Sequence, residues 1–362
     1  MDQTHTITKQ RSKKKVVPAQ LTIGIDLGDR WSHYCVLNRA GEIVEEGRFR
    51  STPEAVTKHF EDHERARIAM EAGTHSIWLT ELLITFGHEV IVANVQELRA
   101  ISHNDRKSDR VDAEKLARYA RLDPRVLRPI AHRSVATQQA LTLIRARHVL
   151  VRMRTSLVNS VRGLMKPCGF RAPSCSTCSF PKRCLAVLPE GLKPALQPLL
   201  EHIAQMNAQI YLYDRAILRM IKTGYPETQA LVSVHGVGPL TALTFVLTLG
   251  DKHRFKRSRD VGCYVGLRPR RSQSGDRDPQ LGITKAGNGY LRSLLTECAN
   301  YILGPFGGDS ALRRWGLQLA AKGGKNARKR ALIGVARKLA VLLHRLWVTQ
   351  AAYVPFPVTA AA

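Results

Sequence analysis

The order of strand and helix patterns in the first third of the chain constrains its fold most. Between Leu21 and Phe49, three apolar stretches are separated by two short turns, and the first stretch alternates large apolar with small or polar residues, as strands do. Three strands joined by tight turns predict an antiparallel meander. From Ser51 to Pro124 the patterns predict helix, strand, helix, strand and helix. The order β-β-β-α-β-α-β-α indicates an α/β domain with a mixed sheet.

This order matches the ribonuclease-H-like fold, with helices on both faces of the sheet. Asp26 ends the first predicted strand, and Glu71 directly follows the strand Ala66–Met70. In a sheet of this order the two strands can be neighbours, so both carboxylates are expected at one edge. Asp109 and Asp112 are spaced i,i+3, which puts them on one face of a helix.

Four carboxylates brought together repel one another unless a cation neutralises them. Mg²⁺ takes such hard oxygen ligands, and two ions can clamp the attacking and leaving oxygens of a phosphodiester displacement. The set therefore predicts phosphoryl transfer with Mg²⁺, most simply two ions. Each carboxylate taken alone fits a turn or a helix start equally well.

The middle of the chain predicts two long helices. Residues 134–166 lack Gly and Pro before Gly163, and Ala195–Thr223 reads as a second helix, so the two are expected to pair as a hairpin or coiled coil. The arginines of the first helix are expected to contact nucleic acid or another subunit: Arg145, Arg147, Arg152, Arg154 and Arg162. The connecting loop, 167–194, carries Cys168, Cys175, Cys178 and Cys184, for which zinc ligation and free thiols both stay open.

The charge is distributed unevenly. The formal net charge is +27, but residues 21–125 hold 15 basic and 18 acidic side chains, whereas residues 126–362 hold 36 basic and 10 acidic ones. Such a surplus favours a polyanionic partner, above all nucleic acid. The sequence predicts no membrane span, and its odd count of seven Cys favours the cytoplasm.

These patterns divide the chain into five parts. They are a disordered basic arm (1–18), the α/β domain (19–125), a helical coiled-coil connector (126–228), a mostly helical C-terminal domain (229–350) and a tail (351–362).

Several motifs together resemble a known family, the DEDD transposases of bacterial insertion sequences, a group that includes the pilin-gene invertases. The resemblance covers about residues 20–350. Its N-terminal motifs are Gly24-Ile25-Asp26, Met70-Glu71-Ala72, Lys107-Ser108-Asp109 and Asp112-Ala113. Its C-terminal motifs are His235-Gly236-Val237-Gly238-Pro239, Tyr264-Val265-Gly266-Leu267, Ser274-Gly275 and Ile283-Thr284-Lys285-Ala286-Gly287-Asn288.

The resemblance implies a RuvC-like N-terminal domain whose four acidic positions match Asp26, Glu71, Asp109 and Asp112. It also implies a C-terminal transposase domain whose nucleophilic serine matches Ser274, with Ser272 as the rival, and a phosphoserine bond to DNA. A structured non-coding RNA, the bridge RNA, would pair with double-stranded donor and target DNA. The protein would act as a homo-oligomer, a tetramer or dimer of dimers, at the bacterial nucleoid.

Basic residues near these motifs are candidate nucleic-acid contacts. They are Lys107, Arg270, Arg271, Arg277 and Lys285. Two other functions fit parts of the pattern: a RuvC-like nuclease or junction resolvase that uses water instead of serine, and a basic DNA- or RNA-binding protein without catalysis.

Overall fold

The first part of the chain folds around one mixed sheet. The computed structural model describes residues 20–94, 108–279, 281–324 and 326–356, and the chain divides into two compact units, Met1–Val135 and Ala136–Ala362. The sheet has the strand order β3-β2-β1-β4-β5. Its strands are β1 (Leu21–Asp26), β2 (Trp31–Leu37), β3 (Ile43–Arg50), β4 (Ala66–Glu71) and β5 (Glu89–Ala93).

The strand directions follow from the lengths of the connections. Short turns make β1, β2 and β3 antiparallel, whereas helical crossovers make β1, β4 and β5 parallel. The crossover helices are α1 (Pro53–Phe60) and α2 (Ser76–Thr85), and α3 (Asp109–Leu122) follows β5. The predicted order of elements is confirmed, and it is consistent with a ribonuclease-H-like domain.

Helix α1 ends earlier than the sequence pattern indicated. The Thr52 cap and Pro53 predict a helix that runs to about Glu64, but α1 ends at Phe60, whose side chain is fully buried. The charged residues 61–65 offer no apolar side chain to bury, so nothing in the core supports another helical turn.

Helices cover both faces of the sheet. One core joins α1 and α2 to the sheet through residues such as Phe60, Leu79 and Met70. On the opposite face, Ala113 and Ala117 of α3 pack on Cys35 of β2. Gly24 of β1 lies under the same helix, and a Cβ added there would lie 2.5 Å from the backbone nitrogen of Ala117 and closer still to the carbonyl oxygen of Ala113.

The second unit is mostly helical over its described length. Its helices are α4 (Val135–Met165), α5 (Phe180–Ala186), α6 (Lys193–Gly224), α7 (Thr228–Val232), α8 (Pro239–Leu249), α9 (Val261–Tyr264), α10 (Gly289–Leu303), α11 (Ala311–Ala321) and α12 (Ala327–Thr349). Its largest core gathers Phe245 of α8, Leu295 of α10 and Leu339 of α12. None of the helices described is long and apolar enough to cross a bilayer.

Helices α4 and α6 form an antiparallel hairpin. At one end Val161 shares a core with Leu200, and at the other Ile144 shares a core with Ile217. The buried positions of α6 follow a 4-3 spacing, so the hairpin predicted from the sequence is present. Its supercoil, and with it the coiled coil, stays a prediction.

Two polar pairs interrupt the apolar seam of this hairpin. Arg147 Nε donates to Asp214 Oδ1 at 2.5 Å, and Arg154 Nη1 donates to Asn207 Oδ1 at 2.9 Å. Arg162 lies over the Phe180 ring at 5.2 Å. Three of the five arginines expected to contact a partner therefore stabilise the hairpin itself. Residues 167–194 are also not a plain loop, because α5 buries Phe180 and Cys184 against the hairpin.

We predict that Gly24→Ala destabilises the first unit by about 2–3 kcal/mol, because the new methyl group meets helix backbone that cannot rotate away. Chemical denaturation followed by circular dichroism measures the change. Gly73→Ala is the matched control in the same unit, since no atom lies within 4 Å of a Cβ added there. Equal stability of the two variants would contradict the close approach of α3 to β1.

Candidate active site

Two of the predicted carboxylates lie at neighbouring strand ends. Asp26 is the last residue of β1 and Glu71 the last residue of β4, and the two strands run parallel through the pair Ile25 and Met70. Both side chains lie on the face covered by α3, since Gly24 and Ala69, two residues before each, pack against that helix. The sheet thus brings Asp26 and Glu71 to one edge.

The other two carboxylates occupy the first turn of α3. Ser108 caps this helix by accepting a hydrogen bond from the Val111 amide at 3.4 Å, and Asp109 and Asp112 follow. Acidic side chains are favourable at a helix N-terminus. The Asp109 side chain is 66% exposed, whereas that of Asp112 is 23% exposed and lies 3.5 Å from Lys115 Nζ.

The four carboxylates influence one another electrostatically. The pKa of Asp26 rises from its ordinary 3.8 to about 6. Burial is the largest cause, and repulsion by Asp109, Asp112 and Glu71 follows in that order, while His33 opposes the rise. The four acidic residues predicted from the sequence therefore gather at one place.

The donor chemistry of this cluster fits a divalent cation. A hard cation takes carboxylate oxygens and would relieve the repulsion that raises the pKa of Asp26. In the side-chain conformations of this structure, no three His, Cys, Asp or Glu residues within the described ranges are close enough together to bind a metal ion. Metal binding therefore requires the carboxylate side chains to rotate toward one another. The exposed Asp109 side chain is the least restricted in such a rotation.

His33 belongs to this site, although the sequence analysis did not single it out. It lies opposite Asp26 in the β1–β2 ladder, and its Nδ1 is 3.6 Å from Asp109 Oδ2. No sequence motif marks it, because only the observed β1–β2 register places residue 33 opposite residue 26.

Ser274 lies in the second unit, at the tip of a small β-hairpin. Its backbone N–H and C=O pair with Arg277 at 3.1 Å each, around a turn in which Gly275 has φ +55°. The base of this hairpin is a pair of bridged residues, Pro269 and Ile283. Residues 268–279 are exposed. We call residues 268–279 and 281–284 the serine arm.

Three of the predicted basic contacts lie in this arm and a fourth directly follows it. Arg270 donates its backbone N–H to Gly282 O at 2.9 Å, and Arg271 pairs with Asp278 at 3.3 Å. Lys285 follows the arm with φ +56°, and its amide donates to Gly266 O at 3.1 Å. Arg277 is exposed beside Ser274. Lys107 lies outside the described residues.

The cysteines of residues 167–194 do not form a metal-binding group among the residues described. Cys184 is buried, with its Sγ 3.7 Å from Met165 Sδ, whereas Cys168 and Cys178 are exposed. All four are free thiols in this structure.

Comparison with known proteins identifies the class of enzyme. A family model described as transposase matches residues 23–169, and a second, described as transposase of the IS116/IS110/IS902 family, matches residues 228–304. The transposase of insertion sequence IS1111A from Coxiella burnetii is 30% identical over 256 residues, which are 68% of this chain and 68% of that protein.

Two further relatives agree with this class. The transposase of insertion sequence IS1328 from Yersinia enterocolitica is 28% identical over 292 residues, covering 78% of this chain and 84% of the relative. A pilin gene-inverting protein from Moraxella bovis is 30% identical over 110 residues, which are 30% of this chain and 33% of that protein. The matches define a transposase, an enzyme class that cuts and rejoins DNA. The chain belongs to the IS110 family of insertion-sequence transposases.

The raised pKa of Asp26 predicts a pH dependence of stability without divalent cations. Between pH 3.8 and about 6 the folded state holds a proton on Asp26 that the unfolded state has released, so the contribution of Asp26 to stability is fully present below pH 3.8 and is lost as the pH rises through about 6. Asp26→Asn removes this loss, so in chelator at pH 7 the variant should be more stable than the natural protein, by about 1 kcal/mol because solvent screens the partly exposed side chain. Denaturation at pH 4 and pH 7 measures it, and a variant less stable at pH 7 would contradict the clustering.

Proposed function

We propose that this protein is an RNA-guided transposase that exchanges DNA strands through the four carboxylates and a phosphoserine intermediate. The observation that carries the proposal is the gathering of Asp26, Glu71, Asp109 and Asp112 at one sheet edge in a member of a DNA-transposing family. Donor and target would be double-stranded DNA, and the site of action the bacterial nucleoid.

The carboxylates would hold Mg²⁺ against the scissile phosphate. Asp26 and Glu71 offer ligands from the rigid sheet, and Asp109 and Asp112 from the first turn of α3. Bound there, Mg²⁺ would polarise the phosphate and neutralise charge that develops on its oxygens. His33 lies 3.6 Å from Asp109 and would orient that carboxylate.

Ser274 would supply the nucleophile. Its Oγ would bond to the scissile phosphorus and release its hydroxyl proton to water, while the phosphorus–deoxyribose oxygen bond would break and the leaving oxygen would take up a proton from water. A deoxyribose hydroxyl of the new partner strand would then reverse these changes and release Ser274. Exposure at the tip of the serine arm supports this role, because the nucleophile must reach into DNA held elsewhere. Arg270 and Arg277 would hold neighbouring phosphates.

The carboxylates and Ser274 lie in different units of the chain, Met1–Val135 and Ala136–Ala362. This division supports a composite site in which one subunit of a tetramer or dimer of dimers contributes the carboxylates and another contributes Ser274. A bridge RNA would choose the DNA sites by base pairing, so the protein would mainly need to hold backbones, which suits its net charge of +27.

We predict that Ser274→Ala abolishes both covalent protein–DNA adducts and strand exchange. The assay combines purified protein, Mg²⁺, donor and target DNA, and RNA transcribed from the DNA that flanks the gene. Adducts are detected as a mobility shift that survives denaturation. Omitting the RNA, or introducing Asp26→Asn, should stop exchange while leaving duplex binding within about twofold.

Ser272→Ala is the matched control, because Ser272 is two residues away in the same exposed arm and should keep full activity. If Ser274→Ala still cuts DNA and gives no adducts in either form, a water-using nuclease is the better account. Exchange that persists with Asp26→Asn would eliminate the carboxylate assignment.

A further inference from the structure

One exposed aromatic side chain lies beside the carboxylate cluster and takes no part in the proposed strand exchange. Trp31 begins β2, and its side chain is 40% exposed. The guanidinium carbons of Arg48 and Arg50 lie 4.7 and 5.4 Å from the centroid of its ring. The three side chains form a joint aromatic and cationic surface, which we call the Trp31 platform.

The register of the sheet aligns this platform with the carboxylates. Directly opposed residues in antiparallel strands share a face, so Trp31 faces the same way as Arg50, and His33 the same way as Arg48 and Asp26. Trp31 is two residues from His33, about 7 Å along the strand. His33 in turn contacts Asp109 at 3.6 Å.

The two arginines of the platform form no ion pair with a carboxylate among the residues described, whereas other arginines nearby do. On the same face Arg110 pairs with Glu46, and Arg67 pairs with Glu89 at 3.1 Å. Neither Arg48 nor Arg50 has a carboxylate partner among the residues described, and both are exposed. Two such cations next to a cluster of acids offer a site for an anion that the acids alone would repel.

We propose that the Trp31 platform binds an unpaired nucleotide next to the scissile phosphate, with its base stacked on the indole and its phosphates on Arg48 and Arg50. Indole rings stack on any base, and arginine adds both charge and stacking. The proposal rests on the proposed function only in taking the carboxylate edge as the place where the strand is cut. The nucleotide belongs to a DNA strand opened for exchange or to the guide RNA, which share this chemistry.

Binding without catalysis provides the test. The full chain carrying Asp26→Asn is titrated with a fluorescently labelled ten-nucleotide thymidine DNA, the matching uridine RNA and a ten-base-pair duplex, followed by anisotropy. Trp31→Ala should weaken single-strand binding roughly 5- to 100-fold, and Trp31→Phe should restore most of it. The duplex should respond less than threefold, because its bases are already stacked.

The charge contribution is tested by salt. Arg48→Gln with Arg50→Gln should lower the slope of log affinity against log salt by roughly 1.4 for the single strand. The charge-matched control combines Arg39→Gln with Arg65→Gln, exposed residues at the opposite end of the sheet, and should leave that slope unchanged. Melting curves of every variant verify folding.

If Trp31→Ala weakens the binding of one single strand more than that of the other, the result supports the proposal and identifies which strand occupies the platform. The proposal would be overturned if Trp31→Ala left single-strand binding unchanged or altered the oligomeric state. It would also be overturned if both pairs of arginine substitutions changed the salt slope equally. Such a failure leaves the carboxylate assignment intact, because strand exchange tests that separately with Asp26→Asn.

Discussion

The close approach of α3 to β1 is the constraint on which the candidate site depends. Gly24 leaves room for the backbone of α3 to lie against the sheet, so the first turn of the helix reaches the ends of β1 and β4. Four carboxylates then share one edge, at a cost that shows as the raised pKa of Asp26. Without a bound cation, like charges at this distance repel one another, and a fold would be more stable with the carboxylates farther apart. Their persistence is understandable if a cation joins them during function.

The remaining charge of the chain complements this acidic edge. Residues 126–362 hold 36 basic and 10 acidic side chains, enough to bind long stretches of phosphate backbone. The serine arm presents Ser274 among arginines, while the first unit presents carboxylates beside the Trp31 platform. The acidic cluster and most of the basic surplus thus belong to different units of the chain, although Arg48 and Arg50 lie in the first unit beside the carboxylates.

The sequence predicted the order of strands and helices in the first unit, and the adjacency of the strands that carry Asp26 and Glu71, because strand periodicity and short connections are local signals. It could not predict which side chains the tertiary packing would use. Arg147 and Arg154 looked like partner contacts, yet Asp214 and Asn207, more than fifty residues away, pair with them inside the hairpin. His33 was overlooked because its role appears only when the β1–β2 register is fixed. The joint surface of Trp31, Arg48 and Arg50 likewise depends on β2–β3 pairing rather than on any motif.

The central claim, that these carboxylates form one metal centre, is tested most directly by anomalous scattering from crystals of the protein grown with Mn²⁺ in place of Mg²⁺. We expect anomalous density ligated by Asp26, Glu71 and at least one of Asp109 and Asp112. Full Mn²⁺ occupancy at another site, with this edge empty at a concentration that supports strand exchange, would contradict it.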